Sequence, residues 1–191
     1  MKYISHFPYV FYYIMFYTLS IYFLEFYSDG DLIDYDGAYE ALYNQALLPS
    51  GLIYRGLIGS YEPIHFFFTW ISSNLDIPRE HFLAFWNANL ATLFLRVGSN
   101  LNASRIVLVL LLFTNLYFLA LYTELERLKF AFVFFFASLL CVRSNKLQIF
   151  FSILCLLSHL QFLVVYAGIL LLHIEQDIRR LLQTGCIRKV L

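Results

Sequence analysis

Residues 105–123 read RIVLVLLLFTNLYFLALYT. After Arg105 no charge interrupts the run, and one amide, Asn115, sits near its middle. A stretch of this length is close to the ~20 apolar residues that a helix needs to cross the hydrocarbon core of a bilayer. Backbone groups in lipid must bond within their own segment, so the expected form is a helix. Similar runs lie on both sides of it, and together they decide the fold.

Working outward, residues 7–24, 128–142 and 147–173 are apolar runs, and 63–75 and 81–97 are shorter ones. The whole chain of 191 residues is 61% hydrophobic, 20% aromatic and only 14% charged, against about 25% charged in soluble domains. The expectation is an all-α, polytopic transmembrane helical bundle of about five or six spans, a single integral membrane domain over 1–191. Lipid is its immediate partner. The segments 63–75 and 81–97 are short for spans, so either neighbours help them across or 63–75 is re-entrant.

Between the first two runs lies an external loop, 25–62, with Asp29, Asp31, Asp34, Asp36, Glu40 and Glu62 against a single Arg55. Tyr35, Tyr39 and Tyr43 recur every four residues there. Asp34 is placed to cap a helix, and Pro49 and Gly51 to end one, so 35–48 reads as an external amphipathic helix on the membrane surface. The tail 174–191 is polar and basic, with Arg179, Arg180, Arg188 and Lys189.

Thirteen basic and thirteen acidic residues balance, which gives no reason to expect nucleic acid. The three cysteines, Cys141, Cys155 and Cys186, offer no disulfide framework. Met1-Lys2 before an apolar run has the look of a signal peptide, but no small-residue cleavage site follows 7–24, so a retained first span is expected. There is no Walker loop, dinucleotide glycine motif, HExxH or cysteine-rich zinc site, so neither cofactor nor metal is expected.

Topology divides two ways. Six spans put Arg79, Arg127, Lys129 and the basic tail in the cytoplasm, and the positive-inside count favours this. Five spans put Arg96, Arg105, Arg143 and Lys146 inside, with Arg127 and Lys129 outside. Both export the loop 25–62.

Polar residues inside such runs need a partner, a cavity or a task, because a charge at the bilayer centre costs about 2.5–3.5 kcal/mol on insertion scales. At 100° per residue, Gln148, Ser152, Cys155, His159, Tyr166 and His173 share one face of 147–173. Arg127, Ala131, Ser138 and Asn145 share another, and Asn89, Thr92 and Arg96 line a third. Interhelical hydrogen bonding explains such stripes as well as a binding site does. For Arg127 the plainer reading is a snorkelling anchor paired with Glu124 or Glu126. Glu62-Pro63 opens a helix with a carboxylate at its positive end.

The order of these residues is similar to the EpsG family of exopolysaccharide and O-antigen polymerase-like membrane proteins. The resemblance rests on Asp34-Tyr35 followed by Tyr39 and Tyr43, on Glu62-Pro63-Ile64-His65-Phe66, on Arg127 with Ala131, and on Ser158-His159. It runs from about residue 5 to 172, and because family members continue beyond this histidine it implies a truncated or degenerate member. It implies a multi-pass protein of the bacterial cytoplasmic membrane that polymerises undecaprenyl-pyrophosphate-linked glycan repeat units by glycosyl transfer, with other polysaccharide-assembly proteins as further partners. The implied catalytic residues are Asp34 or Glu62 as base, Arg127 on the pyrophosphate and His159 as a positioning group. Tyr35, Tyr39, Tyr43 and Asn89 would contact the sugars. Two other readings stand beside it: a non-catalytic membrane subunit of a polysaccharide synthesis or export complex, and a small transporter or channel.

Overall fold

The computed structural model describes residues 7–26, 32–60 and 62–187. Among them the chain is all-α, with ten helices and no strand. It divides into two compact units, Met1–His159 and Leu160–Leu191. The second is essentially one helix, α10 (Phe162–Ile187).

The first unit is built on α1 (Phe7–Leu24), α5 (Arg79–Asn100), α6 (Arg105–Thr114), α7 (Leu116–Thr123), α8 (Glu126–Leu140) and α9 (Asn145–Ser158). The side-chain pairs give their directions. Ser20 meets Asn87 and Tyr9 meets Arg96, so α1 and α5 are antiparallel. Arg79 pairs with Glu126, Trp86 with Phe130 at 3.9 Å and Phe94 with Phe136, so α5 and α8 run the same way. Between them α6 and α7 return along α5, where Phe94 meets Phe118 and Asn87 reaches the Tyr122 carbonyl. Finally α9 comes back along α8 through Phe134 and Phe151. The chain therefore makes five passes along the bundle. Gly98 is what lets α5 and α6 close up: a Cβ there would stand 2.5 Å from Leu108 Cδ1.

Three short helices, α2 (Leu32–Ala41), α3 (Leu47–Ile58) and α4 (Pro63–Asn74), gather at the end where α5 and α8 begin. Pro63 opens α4 as expected, at a position where its missing N–H costs nothing. Gly59 closes α3 in the left-handed region at φ 75°, with its N–H on the Arg55 carbonyl. Tyr35, Ala38, Leu42 and Tyr54 are buried, with Phe66 of α4 joining Ala38, Leu42 and Tyr54 in one apolar core.

Several expectations are corrected. The single surface helix over 35–48 is instead two helices, because Pro49 sits in the first turn of α3 rather than at the end of α2. Asn44 makes the turn between them at φ 55°, and Asp34 lies inside the first turn of α2 rather than capping it. The run 105–123 bends by 64° between α6 and α7. Asn115 ends one helix and caps the next, accepting a hydrogen bond from the Tyr117 N–H at 2.9 Å. The run 147–173 is broken too. His159 is extended (φ −160°, ψ 111°), so the stripe from Gln148 to His173 is not one helix face. On α8, Ala131 and Ser138 are buried as expected, whereas Asn145 belongs to the next helix. The tail is largely helical, since α10 continues to Ile187. Asp29, Asp31, Lys2, Arg188 and Lys189 lie outside the described residues, as do the side chains of His173, Arg180 and Cys186.

No single helix among the described residues is long and apolar enough to cross a membrane; the bent pair α6–α7 is, by length and composition. At 22 residues α5 has the length, about 33 Å, but carries Arg79, Glu80, Asn87, Asn89 and Arg96. The segments Pro8–Leu24 and Asn145–Ser158 are apolar but short.

Candidate functional site: a buried ionic cluster at one end of the bundle

Several helices that start or stop at the α2–α4 end contribute polar side chains from their terminal turns. Glu62 precedes α4 and His65 lies in its first turn; Glu126, Arg127 and Lys129 open α8. Arg79 opens α5, and His159 ends α9. Helix ends are where the backbone leaves room and unpaired groups for such chemistry.

One branch is centred on Glu62. Its Oε1 lies 2.7 Å from His159 Nδ1 and its Oε2 3.5 Å from Arg127 Nε. Arg127 Nε also donates to the Tyr35 hydroxyl at 2.8 Å, and Nη1 donates to Ser60 Oγ. A carboxylate oxygen accepts, so Nδ1 is the donor in this contact. Among the described residues, Glu62 Oε2 is buried and accepts no hydrogen bond. Glu62 is 8% exposed and the Arg127 side chain 25%. The extended backbone at His159 is what turns its ring off the α9 axis towards Glu62.

The second branch runs beside it. The Tyr54 hydroxyl lies 2.6 Å from His65 Nδ1, and His65 Nε2 is 3.4 Å from Glu126 Oε2. Arg79 clasps Glu126 with one nitrogen and Asp36 with the other. Burial, then the neighbouring Tyr35 and Glu62, push the Tyr54 hydroxyl above the usual tyrosine range, so it faces His65 as a neutral hydroxyl. His65 and Lys129 are fully buried and Glu126 nearly so. Lys129 Nζ donates to the Tyr122 carbonyl at 3.2 Å. The Tyr35 ring, 5.5 Å from the His65 ring, joins the two branches.

Of the residues expected from the sequence, the fold brings Glu62, Arg127, His159 and Tyr35 together. Asp34 is exposed one residue away, and α2 sends Tyr35 and Asp36 into the cluster instead. Tyr39 and Tyr43 line a polar cleft of about 570 Å³ with Asp36, Glu40, Asp76 and Arg79. Tyr39 donates to the Ile77 carbonyl at 2.7 Å. Burial, and then Glu80 and Asp76, raise its pKa above the ordinary 10.0. Asn89 is remote, bonded to the Phe85 carbonyl of its own helix.

Arg79, His65, Glu126, Lys129 and Tyr54 were missed. One signal was available: Glu126, Arg127 and Lys129 fall within one turn at the start of an apolar run, which is more charge than an anchor requires. Among the described residues no group of three or more His, Cys, Asp or Glu side chains is placed to hold a metal ion. No family model matches the chain, and neither a curated protein nor a solved structure does.

Proposed function

We propose that the chain is an EpsG-like membrane protein that polymerises lipid-pyrophosphate-linked glycan units by glycosyl transfer in the bacterial cytoplasmic membrane. One observation carries the reading: Glu62 bridges His159 and Arg127 at the end of the bundle that also holds the acidic, tyrosine-rich segment. An acid, an imidazole and a guanidinium, drawn from three helix termini, are the groups this reaction asks for.

The roles follow from the geometry. A sugar hydroxyl donates to Glu62 Oε2, which takes its proton as the oxygen attacks the anomeric carbon of a second unit. The bond from that carbon to the lipid pyrophosphate breaks, and the leaving group departs with the electron pair. Arg127, held by Tyr35 and Ser60, presents N–H groups to the developing negative charge. His159 holds the Glu62 carboxylate in place, and the cleft with Tyr39 and Tyr43 offers aromatic faces and carboxylates to a glycan.

The membrane location is part of the proposal. Its support is the apolar surface that the first unit leaves uncovered: Val10, Phe11 and Ile14 on α1, Ile106 and Leu110 on α6, and Ile149, Phe150 and Ile153 on α9 are all exposed. Short helices cross by thinning the bilayer locally or tilting little. In this arrangement α2–α4 stay at one face, the five-span topology holds for the first unit, and Arg127 lies on the outer side with the loop.

The test is to supply protein in lipid nanodiscs with lipid-pyrophosphate-linked repeat units and follow glycan length by gel. Longer glycans from the native chain, absent with Glu62→Gln, support the proposal; no elongation under any condition refutes it. A second reading has its own observation. The second branch is paired internally and, apart from Asp36, largely buried, as expected of a structural clasp in a non-catalytic subunit. Co-purification of partner proteins lost in Glu126→Gln, with no elongation by the native chain, favours that reading.

A further inference from the structure

The first unit sorts its charge between its two ends. Among the described residues up to His159, Asp and Glu occur only at 25–80 and 124–126, at or beside the α2–α4 end. The opposite end, where α1, α6 and α9 begin and α5 and α8 finish, carries Arg96, Arg105, Arg143 and Lys146 and no carboxylate among the described residues. All four cations are exposed, so a partner can reach them.

Two of them are held around one ring. Arg96 Cζ lies 5.9 Å and Arg105 Cζ 5.7 Å from the centroid of Tyr9, whose side chain is buried. Gly98 makes this possible by letting α6 fold back closely against α5. A ring face attracts a cation but leaves its charge uncancelled. Neither guanidinium forms an ion pair among the described residues. The start of α6 adds donors of its own. Ser104, its N-cap, makes no side-chain cap hydrogen bond, and residues 104–107 are exposed. The first-turn N–H groups, which have no intrahelical acceptor, and the positive end of the helix dipole therefore lie beside Arg105.

Two forked guanidiniums beside backbone donors suit a phosphate, whose oxygens only accept. The neighbouring surface says what carries it. Ile106, Val107 and Leu110 follow Arg105 along α6, and Val10, Phe11 and Ile14 follow Tyr9 along α1, all exposed. A free phosphate makes no use of such a surface, whereas acyl chains cover it. Arginines at the edge of an apolar face, stems on it and heads beyond it, are placed to meet headgroups. An end without carboxylates also has nothing to pair with the cation of a zwitterionic headgroup.

Resting on the membrane location proposed above, we propose that Arg96, Arg105 and the start of α6 form a binding site for the headgroup phosphate of an anionic glycerophospholipid, with its acyl chains along α1 and α6. The site lies at the opposite end from Glu62, Arg127 and His159 and takes no part in the glycan chemistry. The excess of basic residues assigns that end to the cytoplasmic leaflet, whose anionic lipids attract basic side chains.

The full chain is first floated with phosphatidylcholine vesicles, which tests the membrane location by itself. It is then placed in nanodiscs of equal parts phosphatidylcholine and phosphatidylglycerol, and the lipids it retains are counted by native mass spectrometry. The native chain should retain phosphatidylglycerol over phosphatidylcholine by about tenfold, and millimolar inorganic phosphate should not displace it. The double variant Arg96→Gln/Arg105→Gln should lose that preference with thermal unfolding unchanged. Arg143→Gln/Lys146→Gln, which takes the same charge from the same end, should keep most of it. Failure to float removes the membrane location and this site together. In a chain that floats, no preference for phosphatidylglycerol, equal loss in the two double variants, or displacement by inorganic phosphate would each overturn the site alone. Arg105→Gln, expected to remove most of the preference, decides the matter if the first double variant fails to fold.

Discussion

The Glu62 carboxylate and the His159 imidazole, 97 positions apart in the chain, lie 2.7 Å from each other. One precedes the proline that opens α4, and the other is the residue at which α9 stops. The bond joins two helix ends, so neither side chain has to reach across a packed interior. It leaves the other carboxylate oxygen facing the Arg127 guanidinium.

Arg127 is predicted to be intolerant of lysine. Its Nε and Nη1 hold Tyr35 and Ser60 at once, a fork that a single ammonium cannot reproduce. Arg127→Lys should lower the rate of glycan elongation about a hundredfold, and Arg127→Ala at least as much, in a nanodisc assay with matched protein amounts. A lysine variant within threefold of native, on about the precision of such assays, would remove Arg127 from the chemistry.

Glu62 and His159 should behave as one unit. If the imidazole works by holding the carboxylate, Glu62→Gln and His159→Ala each remove the same function, and the double variant should be no slower than the worse single one. Elongation rates of the four proteins make the cycle. Losses that multiply would show that the two residues act separately.

Glu126 is predicted to matter for stability more than for turnover. It is 1% exposed and takes His65 and Arg79 as partners, so Glu126→Gln leaves buried cationic and imidazole groups poorly matched. The expected cost is about 3–5 kcal/mol in a denaturant titration in detergent. Lys129→Met, which removes a cation that the cluster can spare because Arg79 remains, should cost clearly less.

Alkaline pH should weaken the α2 end of the bundle. Burial raises the Tyr39 pKa in the folded chain above the 10.0 of an unfolded tyrosine, so folding favours the neutral hydroxyl that donates to the Ile77 carbonyl. Its contribution is fully present below pH 10.0 and is lost as the pH climbs from there through the higher folded value. Unfolding midpoints measured on either side of that pH should fall more steeply for the native chain than for Tyr39→Phe. Parallel slopes would mean that Tyr39 ionises like an exposed tyrosine.

Some local signals reported local structure well, whereas Asp34 and Pro49 did not, falling inside the first turns of α2 and α3. The first run became α1 and the Glu62-Pro63 pair became the start of α4, because a proline or an uninterrupted apolar stretch acts on its own neighbours. Breaks without a local cause escaped notice. Nothing in Ser158-His159-Leu160-Gln161 resembles a helix stop, and a periodicity carried through it put His159 on a face that does not exist. The candidate site was half legible for the same reason. Arg127, His159 and Glu62 stood out as costly groups in or beside apolar runs and Tyr35 by its spacing with Tyr39 and Tyr43, but their partnership depends on which helix ends meet. Glu126 and Arg79 looked ordinary because the partners they meet in the cluster lie more than 40 residues away in sequence.

The odd number of passes in the first unit settles a question of parity. A chain that enters α1 at one end and traverses the bundle five times must emerge at the opposite end, beside α2–α4. His159 is therefore delivered to the same side as the acidic segment by arithmetic alone, and losing or adding a single traverse between them would strand it at the wrong pole. The spacing between Glu62 and His159 is tolerant of insertions in loops, but not of a change in the count of helices.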